Sequence, residues 1–436
     1  MKIRKLNAAT ALGSLTASVA LLTGIQGAYA QGAPGAGSFP GSFLVPGTQT
    51  SFKVGGYIKW DYVYDFGQIQ NINGGSFPFV STQGGVINGV PQGAPLILHG
   101  GSQMTASESR FNIETRTPTS FGELKTFLEG DFTNPNGLNN TGSLRVNSNS
   151  YGFRLRQAYG TLGPFLAGQT LSLFRDGAAE AETLDFGGAQ ATGVTRQPQV
   201  RYTFDFGNGL TWAVAAENNQ TQIFNLDTGA TKTTFGAGQA DKIPDFTTAV
   251  VYNAPWGHLN LHGVVRDIYW HNGLPSGTFD ASSNSRVGWA VSFSGNYNVP
   301  IGKDSIAWEA AYGKGAGRYV NSDGPPTPDA FVTPTGSMHN ITSWLGSVNY
   351  THFWTDQLRT NIAGSYWRQY NGFATNSSNG SAGLLFRDTY NAFANLIWSP
   401  VPQTNFGVEF NREWGKLQDG ATGAITRVQL SAQFKF

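Results

Sequence analysis

The chain of 436 residues has no cysteine and is sparsely charged, with Asp, Glu, Lys and Arg together making up 13% of it. Ordinary soluble domains carry roughly 25% charged residues, so this composition argues against a typical cytosolic enzyme. Without cysteine, no disulfide bond can hold the fold. The 28 basic residues nearly balance the 27 acidic ones, so electrostatics give no reason to expect a nucleic acid as partner.

Long apolar runs are also missing, because beyond residue 30 no stretch is long enough for a membrane-spanning helix. At the N-terminus, basic residues, a short apolar run and Ala28-Tyr29-Ala30 follow one another, which predicts a secretory signal peptide over residues 1–30. An uncleaved membrane anchor is the alternative, but serine and threonine interrupt the run. Residues 31–50, rich in glycine and proline, are predicted to form a flexible leader before a single domain over residues 51–436.

Glycine and aromatic side chains are abundant, with 57 Gly, 30 Phe, 16 Tyr and 11 Trp. In the last stretch, Ile425 to Phe436, polar and apolar residues alternate, so that a strand would have one wet and one apolar face. The same alternation occurs from Phe52 to Phe66 and recurs with varying clarity in between. It predicts about sixteen strands, each close to the ~9–11 residues that cross a bilayer at a tilt.

Short and long connections alternate between these predicted strands, and outer-membrane barrels have this arrangement. The long ones cover residues 67–107, 134–150, 172–196, 220–244, 271–285, 314–340, 369–384 and 415–424. Lipid offers no hydrogen-bond partners, so the sheet must close on itself. The predicted fold class is all-β: a closed antiparallel transmembrane β-barrel of about 16 strands, with short periplasmic turns and long extracellular loops. A soluble β-sandwich or propeller is the alternative, which would hide its aromatic face in a core.

Basic residues fall on the polar face of the early predicted strands and would therefore share a water-filled interior. They are Lys59, Arg110, Arg116, Arg154, Arg156 and Arg201. Guanidinium groups offer paired donors to carboxylate or phosphate, and a row of them provides successive weak sites for an anion. Acidic residues share this face, namely Asp61, Glu114, Glu123, Glu129 and Asp131. The alternative interpretation is that these charges pair across the wall and only keep it rigid.

Three segments of the first half, Ser109–Phe132, Phe153–Asp176 and Glu182–Phe204, resemble the DcaP-like trimeric porins of Gram-negative outer membranes. The terminal aromatic residue, Phe436, is similar to the last residue of outer-membrane proteins generally. The resemblance implies a homotrimeric channel for small, often carboxylated solutes such as dicarboxylates, placed in the bacterial outer membrane after export. Some family members carry an N-terminal helical segment, which the Gly- and Pro-rich residues 31–49 cannot form.

The resemblance also implies which residues line and narrow the channel. Matching positions place four arginines on the lumen wall, namely Arg154, Arg156, Arg196 and Arg201. The connection 172–196 corresponds to the loop that folds inward and narrows the lumen of porin-like channels. Its charged residues are Arg175, Asp176, Glu180, Glu182 and Asp185. A solvated outer loop is the alternative for this segment.

The sequence gives little indication of an enzyme or of a metal site. His258 and His262 share one face of a predicted strand, without the convergence that a pair of metal ligands needs. No Gly-x-Ser-x-Gly motif is present. We therefore expect no catalytic residues, no metal and no cofactor.

Two rival functions remain open beside an anion-preferring channel. A sugar-preferring porin would use aromatic stacking tracks, for which the inward candidates are Trp367 and Phe393. A non-conducting barrel, acting as enzyme or adhesin, would be plugged. Small inward residues favour an open lumen instead, at Gly288, Ala290, Ser292 and Ser294. The expected partners are outer-membrane lipid, small hydrophilic solutes and further copies of the chain in a trimer, with no nucleic acid.

Overall fold

The computed structural model describes residues 35–66, 86–87, 90–91, 101–134, 152–188, 195–225, 231–232, 242–271, 283–300, 302–320, 327–333, 337–370, 386–418, 420 and 422–436, and structural statements below concern these residues. The predicted signal peptide, residues 1–30, lies outside them. Sixteen strands form the barrel and are numbered in chain order. They are β1 (Ser51–Phe66), β2 (Arg110–Thr119), β3 (Gly122–Asn134), β4 (Gly152–Leu162), β5 (Phe165–Leu171), β6 (Arg196–Asp205), β7 (Leu210–Glu217), β8 (Asp245–Ala254), β9 (Gly257–His271), β10 (Ser283–Asn298), β11 (Ser305–Lys314), β12 (Thr342–Phe353), β13 (Leu358–Tyr370), β14 (Phe386–Trp398), β15 (Thr404–Leu417) and β16 (Thr422–Lys435).

Strand β1 closes the barrel because it pairs with the next barrel strand, β2, and with the last one, β16. Its first part, Ser51–Tyr57, is antiparallel to β2, and its second part, Tyr57–Phe66, is antiparallel to β16. At the seam, Phe436 N donates to Gly56 O at 3.1 Å, and Gly56 N donates to Phe436 O at 3.2 Å. The predicted closed antiparallel barrel is therefore confirmed, with the C-terminal strand as its closing strand.

The alternation on β16 separates an outer and an inner face, as predicted. Leu430 and Phe434 are 42% and 47% exposed on the outside, whereas Arg427, Gln429 and Ser431 are buried inside. Other large apolar side chains are also exposed on the outer face and form a belt around the barrel, among them Val54, Leu128, Phe246, Val291, Ile362 and Val408. Exposed aromatic rings lie near the short turns, namely Phe121, Phe206, Trp256 and Trp354. An apolar belt with aromatic rings at its edge is typical of a barrel that faces lipid.

The short turn between β6 and β7 depends on an unusual backbone. Gly207, Asn208 and Gly209 have φ angles of 75°, 53° and 81°. Asparagine tolerates this left-handed conformation better than most residues. A Cβ atom at Gly209 would lie 2.0 Å from Asn253 O, so only glycine fits there. The turn signal in the sequence therefore corresponds to a real steric requirement.

Asp304, in the turn between β10 and β11, ties this turn to β12. Its carboxylate accepts hydrogen bonds from Tyr350 Oη at 2.5 Å, from His352 Nδ1 at 2.8 Å and from Phe353 N at 3.0 Å. The hydrogen bond from Tyr350, followed by that from His352, lowers the pKa of Asp304 to about 2. The turn is thus held by an ionised carboxylate.

We expect Asp304→Asn to lower the unfolding temperature of the barrel in detergent micelles at neutral pH. A carboxyl group with a lowered folded-state pKa stabilises the fold above its ordinary pKa of ~3.9 and loses this contribution as the pH falls toward about 2. The difference between variant and natural protein should therefore shrink over this range, as followed by circular dichroism. Asp356→Asn, which removes an exposed partner of Lys303 at 2.9 Å, is the control. A difference that stays constant with pH would contradict the assignment.

Among the described residues, two connections that fold into the barrel bear on the site. The first, residues 172–188, follows β5 and is called the inserted loop below. The second follows β11 and begins with a short helix, α1 (Gly317–Val320). Its later part contributes to a small four-stranded sheet, whose strands are Ile223–Asn225, Thr231–Lys232, Ala330–Val332 and Met338–Asn340. The long connection 314–340 therefore does not stay wholly outside, as its length and polarity had suggested.

An apolar cluster inside the barrel joins the two inserted segments. Phe174 from the inserted loop and Tyr319 and Val320 from α1 pack with Leu345 of β12 and Trp367 of β13. Each of these side chains is at most 1% exposed. Burying large apolar side chains on both segments stabilises their position inside the barrel.

The small inward residues of β10 lie beneath these segments. Ala290, Ser292 and Ser294 are 1%, 1% and 0% exposed, and a Cβ atom at Gly288 would lie 2.2 Å from Gly315 O. The prediction that they line an open lumen is therefore wrong on this side of the barrel. Their small size makes room for the inserted segments, and a cavity bordered by residues of β1 to β6 lies elsewhere in the barrel.

Candidate functional site

The inserted loop enters the barrel at Leu173, whose backbone is held at both polar atoms. Leu173 N donates to Glu217 Oε1 on β7 at 2.9 Å. Leu173 O lies 2.5 Å from His262 Nδ1 on β9, which faces it as donor. The side chains of Glu217 and His262 project from the inner face of the wall, so the start of the loop is fixed to β7 and β9.

Asp176 fixes the next part of the loop to β9 and β10. Its Oδ2 atom lies 2.7 Å from His258 Nε2 and accepts the hydroxyl of Ser294 at 2.7 Å, while Oδ1 accepts Ala178 N at 3.1 Å. Burial opposes ionisation of Asp176, but the hydrogen bonds from His258 and Ser294 outweigh it and lower its pKa. The two histidines of β9 thus act as anchors for the loop, a role that their spacing in the sequence did not suggest.

The middle of the loop is held by β12, β13 and β14. Asn349 Nδ2 donates to Ala179 O at 2.9 Å. The carboxylate of Glu182 receives both Nε and Nη2 of Arg359, the Nε atom at 2.7 Å, and its backbone O accepts Asn395 Nδ2 at 2.7 Å. Within the loop, Arg175 pairs with Glu180.

The far part of the loop is fixed by Glu409 on β15. Its two carboxylate oxygens accept the backbone N–H groups of Leu184 at 2.7 Å and Asp185 at 2.9 Å. Leu184 O in turn accepts Lys59 Nζ at 2.7 Å and Gln429 Nε2 at 2.8 Å. A short stretch of main chain is therefore held by β1, β15 and β16 together.

The side chain of Asp185 completes this attachment. It accepts Arg427 Nη1 at 2.7 Å and Asn411 Nδ2 at 3.1 Å. Arg427 also forms a bidentate pair with Asp65 on β1, at 2.6 and 3.0 Å, and its side chain is 1% exposed. The inserted loop consequently runs along the inner wall from β7 to β1, as expected for a loop that folds into the lumen.

A cluster of arginines and carboxylates lies on the opposite wall, on β3 and β4. Arg154 contacts Asp131 through Nε at 2.9 Å and Nη2 at 2.8 Å. Arg156 donates through Nη1 to the same carboxylate at 2.8 Å, and through Nε to Glu129 at 2.9 Å. Gln157 Nε2 also donates to Glu129, at 3.3 Å.

A β-bulge explains why so many side chains reach this point. Glu129 lies opposite Gln157 and Gly130 lies opposite Leu155, so Arg156 is an extra residue in β4. Strict alternation would send either Arg156 or Gln157 outward. The bulge turns both toward the lumen, which could not be inferred from the alternation of the sequence alone.

The other predicted wall residues are also in contact with partners. Lys59 pairs with Glu108 and lies 3.4 Å from Asp61. Arg110 lies 4.0 Å from Glu129 and over the ring of Tyr57 at 5.2 Å. The interpretation that charges pair along the wall therefore holds for these residues and for the arginines of β4.

Arg116 and Arg201 lie apart from this cluster. Arg116 pairs with Glu114 at 2.6 Å near the short-turn end of β2 and lies over the ring of Phe39 at 4.4 Å. Arg201 donates to Gln199 Oε1 and to Leu171 O, both at 2.7 Å. These two residues belong to the inner wall, but they do not border the narrow passage described next.

Between the wall and the inserted loop lies a cavity of about 460 Å³, which is called the passage below. From the wall it is lined by Tyr57, Glu108, Arg110, Glu129, Arg156 and Arg196, and from the loop by Arg175, Glu180, Glu182, Asp185 and Phe186. Phe186 faces two arginines of the wall, since its ring centroid lies 5.2 Å from Arg154 Cζ and 5.7 Å from Arg156 Cζ. Most of the predicted site residues thus come together here, whereas Asp176 lies away at β9.

The charged groups of this passage can attract some solutes and exclude others. Its charged groups are fixed by neighbours, so they can guide a solute without being displaced. The described residues include no group of three or more His, Asp or Glu side chains placed to hold a metal ion. Within the same ranges, no helix has the length and apolar character needed to span a bilayer.

Comparison with known proteins agrees with this architecture. A family profile described as a porin subfamily matches residues 39–406. Porin Omp2b of Brucella suis is 24% identical over 399 residues, which cover 90% of this chain and 88% of that protein.

Solved structures show the same fold. The outer membrane channel DcaP of Acinetobacter baumannii matches with a TM-score of 0.71 at 20% identity, over 90% of this chain and 99% of that chain. The anion-selective porin from Comamonas acidovorans matches with a TM-score of 0.50 at 11% identity, over 89% and 100%. The predicted resemblance to DcaP-like barrels is confirmed, and the profile covers most of the sequence. The chain therefore belongs to this porin subfamily.

Proposed function

We propose that this porin, a passive channel for small hydrophilic solutes in the bacterial outer membrane, prefers small anions such as dicarboxylates. The observation that carries the proposal is the order of charges on the wall. At two ion pairs of the wall, Arg154–Asp131 and Arg110–Glu129, the guanidinium group is more exposed than the carboxylate behind it. The side-chain exposures are 34% for Arg154 against 0% for Asp131 and 19% for Arg110 against 10% for Glu129.

A solute that approaches Arg154 or Arg110 therefore meets the guanidinium group before its carboxylate partner. At Arg156, Lys59 and Arg175 the carboxylate partner is the more exposed one. Guanidinium groups present paired donors that suit carboxylates, and several weak sites in succession allow an anion to enter and leave. The loop side carries Glu182, which is 45% exposed but paired with Arg359. The fold itself is compatible with such a preference, because one solved relative in fold is described as anion-selective.

Removal of the arginines of β4 is the mutational test of this proposal. We expect Arg154→Ala with Arg156→Ala to lower the anion-to-cation permeability ratio, measured as the reversal potential across a planar bilayer in a KCl gradient. Arg412→Ala is the matched control, because Arg412 is exposed on the outside and lies over Trp414 at 5.0 Å. Arg359 would be a poor control, since it holds the inserted loop through Glu182. An unchanged ratio in the double variant, or an equal fall in the control, would contradict the proposal.

A sugar-preferring channel is less well supported. The inward aromatic residues that could stack on sugars, Trp367 and Phe393, are 0% and 2% exposed. Trp367 lies in the apolar cluster beneath the inserted segments, so it does not border the passage. Swelling of liposomes that contain the protein should be faster with small dicarboxylates than with sugars of similar size. Faster swelling with sugars would favour the alternative.

Assembly and export complete the proposed function. The resemblance to trimeric porins supports a homotrimer embedded in outer-membrane lipid, which the mass of the detergent-solubilised protein would test by light scattering. A signal peptide would direct export and be cleaved after Ala30, and N-terminal sequencing of the membrane-inserted protein would test this. A monomer, or an intact residue 1 at the N-terminus, would contradict these two points.

A further inference from the structure

The buried carboxylate of Asp131 occupies a special position behind the arginines of the passage. It receives three N–H donors from two arginines, two from Arg154 and one from Arg156. Thr133 adds its hydroxyl at 2.9 Å. The side chain of Asp131 is 0% exposed, so a solute cannot reach it directly.

We propose that Asp131, with Glu129, sets how strongly the passage selects and holds anions, because these carboxylates partly neutralise the arginines that a solute meets. The inference rests on the proposed anion preference and concerns its strength. It assigns a specificity-determining role to Asp131, which a solute cannot reach, and to Glu129 beside it, which borders the passage.

The charges at this point are nearly balanced. Three guanidinium groups, those of Arg110, Arg154 and Arg156, lie within 4.0 Å of the two carboxylates Glu129 and Asp131. The cluster therefore keeps an excess of one positive charge. Three uncompensated cations would attract a dianion far more strongly, and a channel conducts only when its sites are weak enough to release the solute.

The arginines also keep donors for the solute. Arg154 uses Nε and Nη2 on Asp131, and Arg156 uses Nε and Nη1 on Glu129 and Asp131. A guanidinium group has five N–H donors, so each retains donors beyond those bonds. The carboxylates thus reduce the charge of the cluster without using all its hydrogen-bonding capacity.

A neutralising role and a merely structural role of Asp131 predict opposite changes in anion selection when Asp131 is replaced. If Asp131 only positioned the arginines, its loss would disorder them and weaken anion selection. If it neutralises them, Asp131→Asn, which keeps the size of the side chain, should strengthen anion selection. Adding Arg154→Gln should then cancel the change, since it restores the net charge of the cluster.

The test is a cycle of four proteins in planar bilayers: the natural chain, Asp131→Asn, Arg154→Gln and the double variant. We expect the anion-to-cation permeability ratio to rise roughly threefold to tenfold in Asp131→Asn, as one extra unit charge at a few ångströms would cause under partial screening. It should fall in Arg154→Gln and return near the natural value in the double variant. Succinate added to one side should block the chloride current for longer in Asp131→Asn than in the natural protein.

Controls keep the outcomes separate. Asp205→Asn changes an exposed carboxylate in the turn after β6, where it accepts Gly207 N at 2.8 Å, and should leave the ratio unchanged. Glu129→Gln is the second variant if Asp131→Asn does not assemble, and its ratio should also rise. A ratio that falls or stays constant in both variants, or a double variant worse than either single one, would overturn the inference. A natural protein that does not conduct, or that prefers cations, would overturn the proposed function instead.

Discussion

Replacing Arg427 with methionine is expected to release the far part of the inserted loop and to raise the single-channel conductance. Arg427 lies between Asp65 and Asp185, and all three side chains are at most 3% exposed. Removing one partner of a buried ion pair typically costs ~3–5 kcal/mol, because a buried charge is left without compensation. Here two carboxylates would be left, and only the one on the loop can move away from the wall.

Single-channel recordings in planar bilayers measure this effect directly, as larger and noisier current steps. Arg412→Met is the control, since it removes an exposed arginine from the outer side of the same region. Adding Asp185→Asn to the variant should partly restore the natural conductance, because it removes one of the unpaired charges. Unchanged current steps from a folded Arg427→Met barrel would show that this attachment does not position the loop.

The second large effect concerns the outer belt. Leu430→Arg should strongly impair insertion, because Leu430 is 42% exposed on the outer face and lies opposite Tyr62 on β1 and Val408 on β15. An arginine on the lipid face of a barrel costs ~2–4 kcal/mol near the middle of the bilayer. The closing strand must also pair on both sides, so a poorly inserted β16 leaves the sheet open.

The measurement is the yield of heat-modifiable barrel on gels after refolding into lipid vesicles. Gln433→Arg is the matched control, because Gln433 faces inward on the same strand and accepts Asn405 Nδ2 at 2.9 Å. We expect the control to insert nearly as well as the natural chain. Equal yields for the two arginine variants would contradict the assignment of the outer face.

Strand positions followed closely from the alternation of side chains. The segments Phe165–Thr170 and His258–Arg266 show the alternation only weakly, yet they lie within β5 and β9. The reason is physical: one face of every strand meets an apolar medium, and the other meets water or inserted polar chain. The constraint acts on each strand separately, so it can be read locally.

The partners inside the barrel could not be read in this way. Alternation places His258, Glu409 and Arg427 on the inner face, but it does not say that they bind the inserted loop. These contacts join residues that are far apart in sequence, and they depend on the path of an irregular segment. The small residues of β10 were misinterpreted for the same reason, because small size fits both open water and close packing.

Local sequence patterns also do not show how the charged residues of the wall pair with one another. The inward direction of Arg154 and Arg156 was predicted, and so was the alternative that they pair with carboxylates. Only the bulge between Glu129 and Gly130 determines which arginine reaches which carboxylate. The exposure of each partner then decides what a solute meets first, and it depends on packing rather than on sequence spacing.

The most direct measurement is the current through the purified natural protein in a planar bilayer with a KCl gradient. A passage between the inserted loop and the arginine wall predicts discrete single-channel steps and a reversal potential on the anion-selective side. Small dicarboxylates should reduce the chloride current as they occupy the passage. A bilayer that stays non-conducting, or a reversal potential on the cation-selective side, would contradict a channel lined by these exposed guanidinium groups.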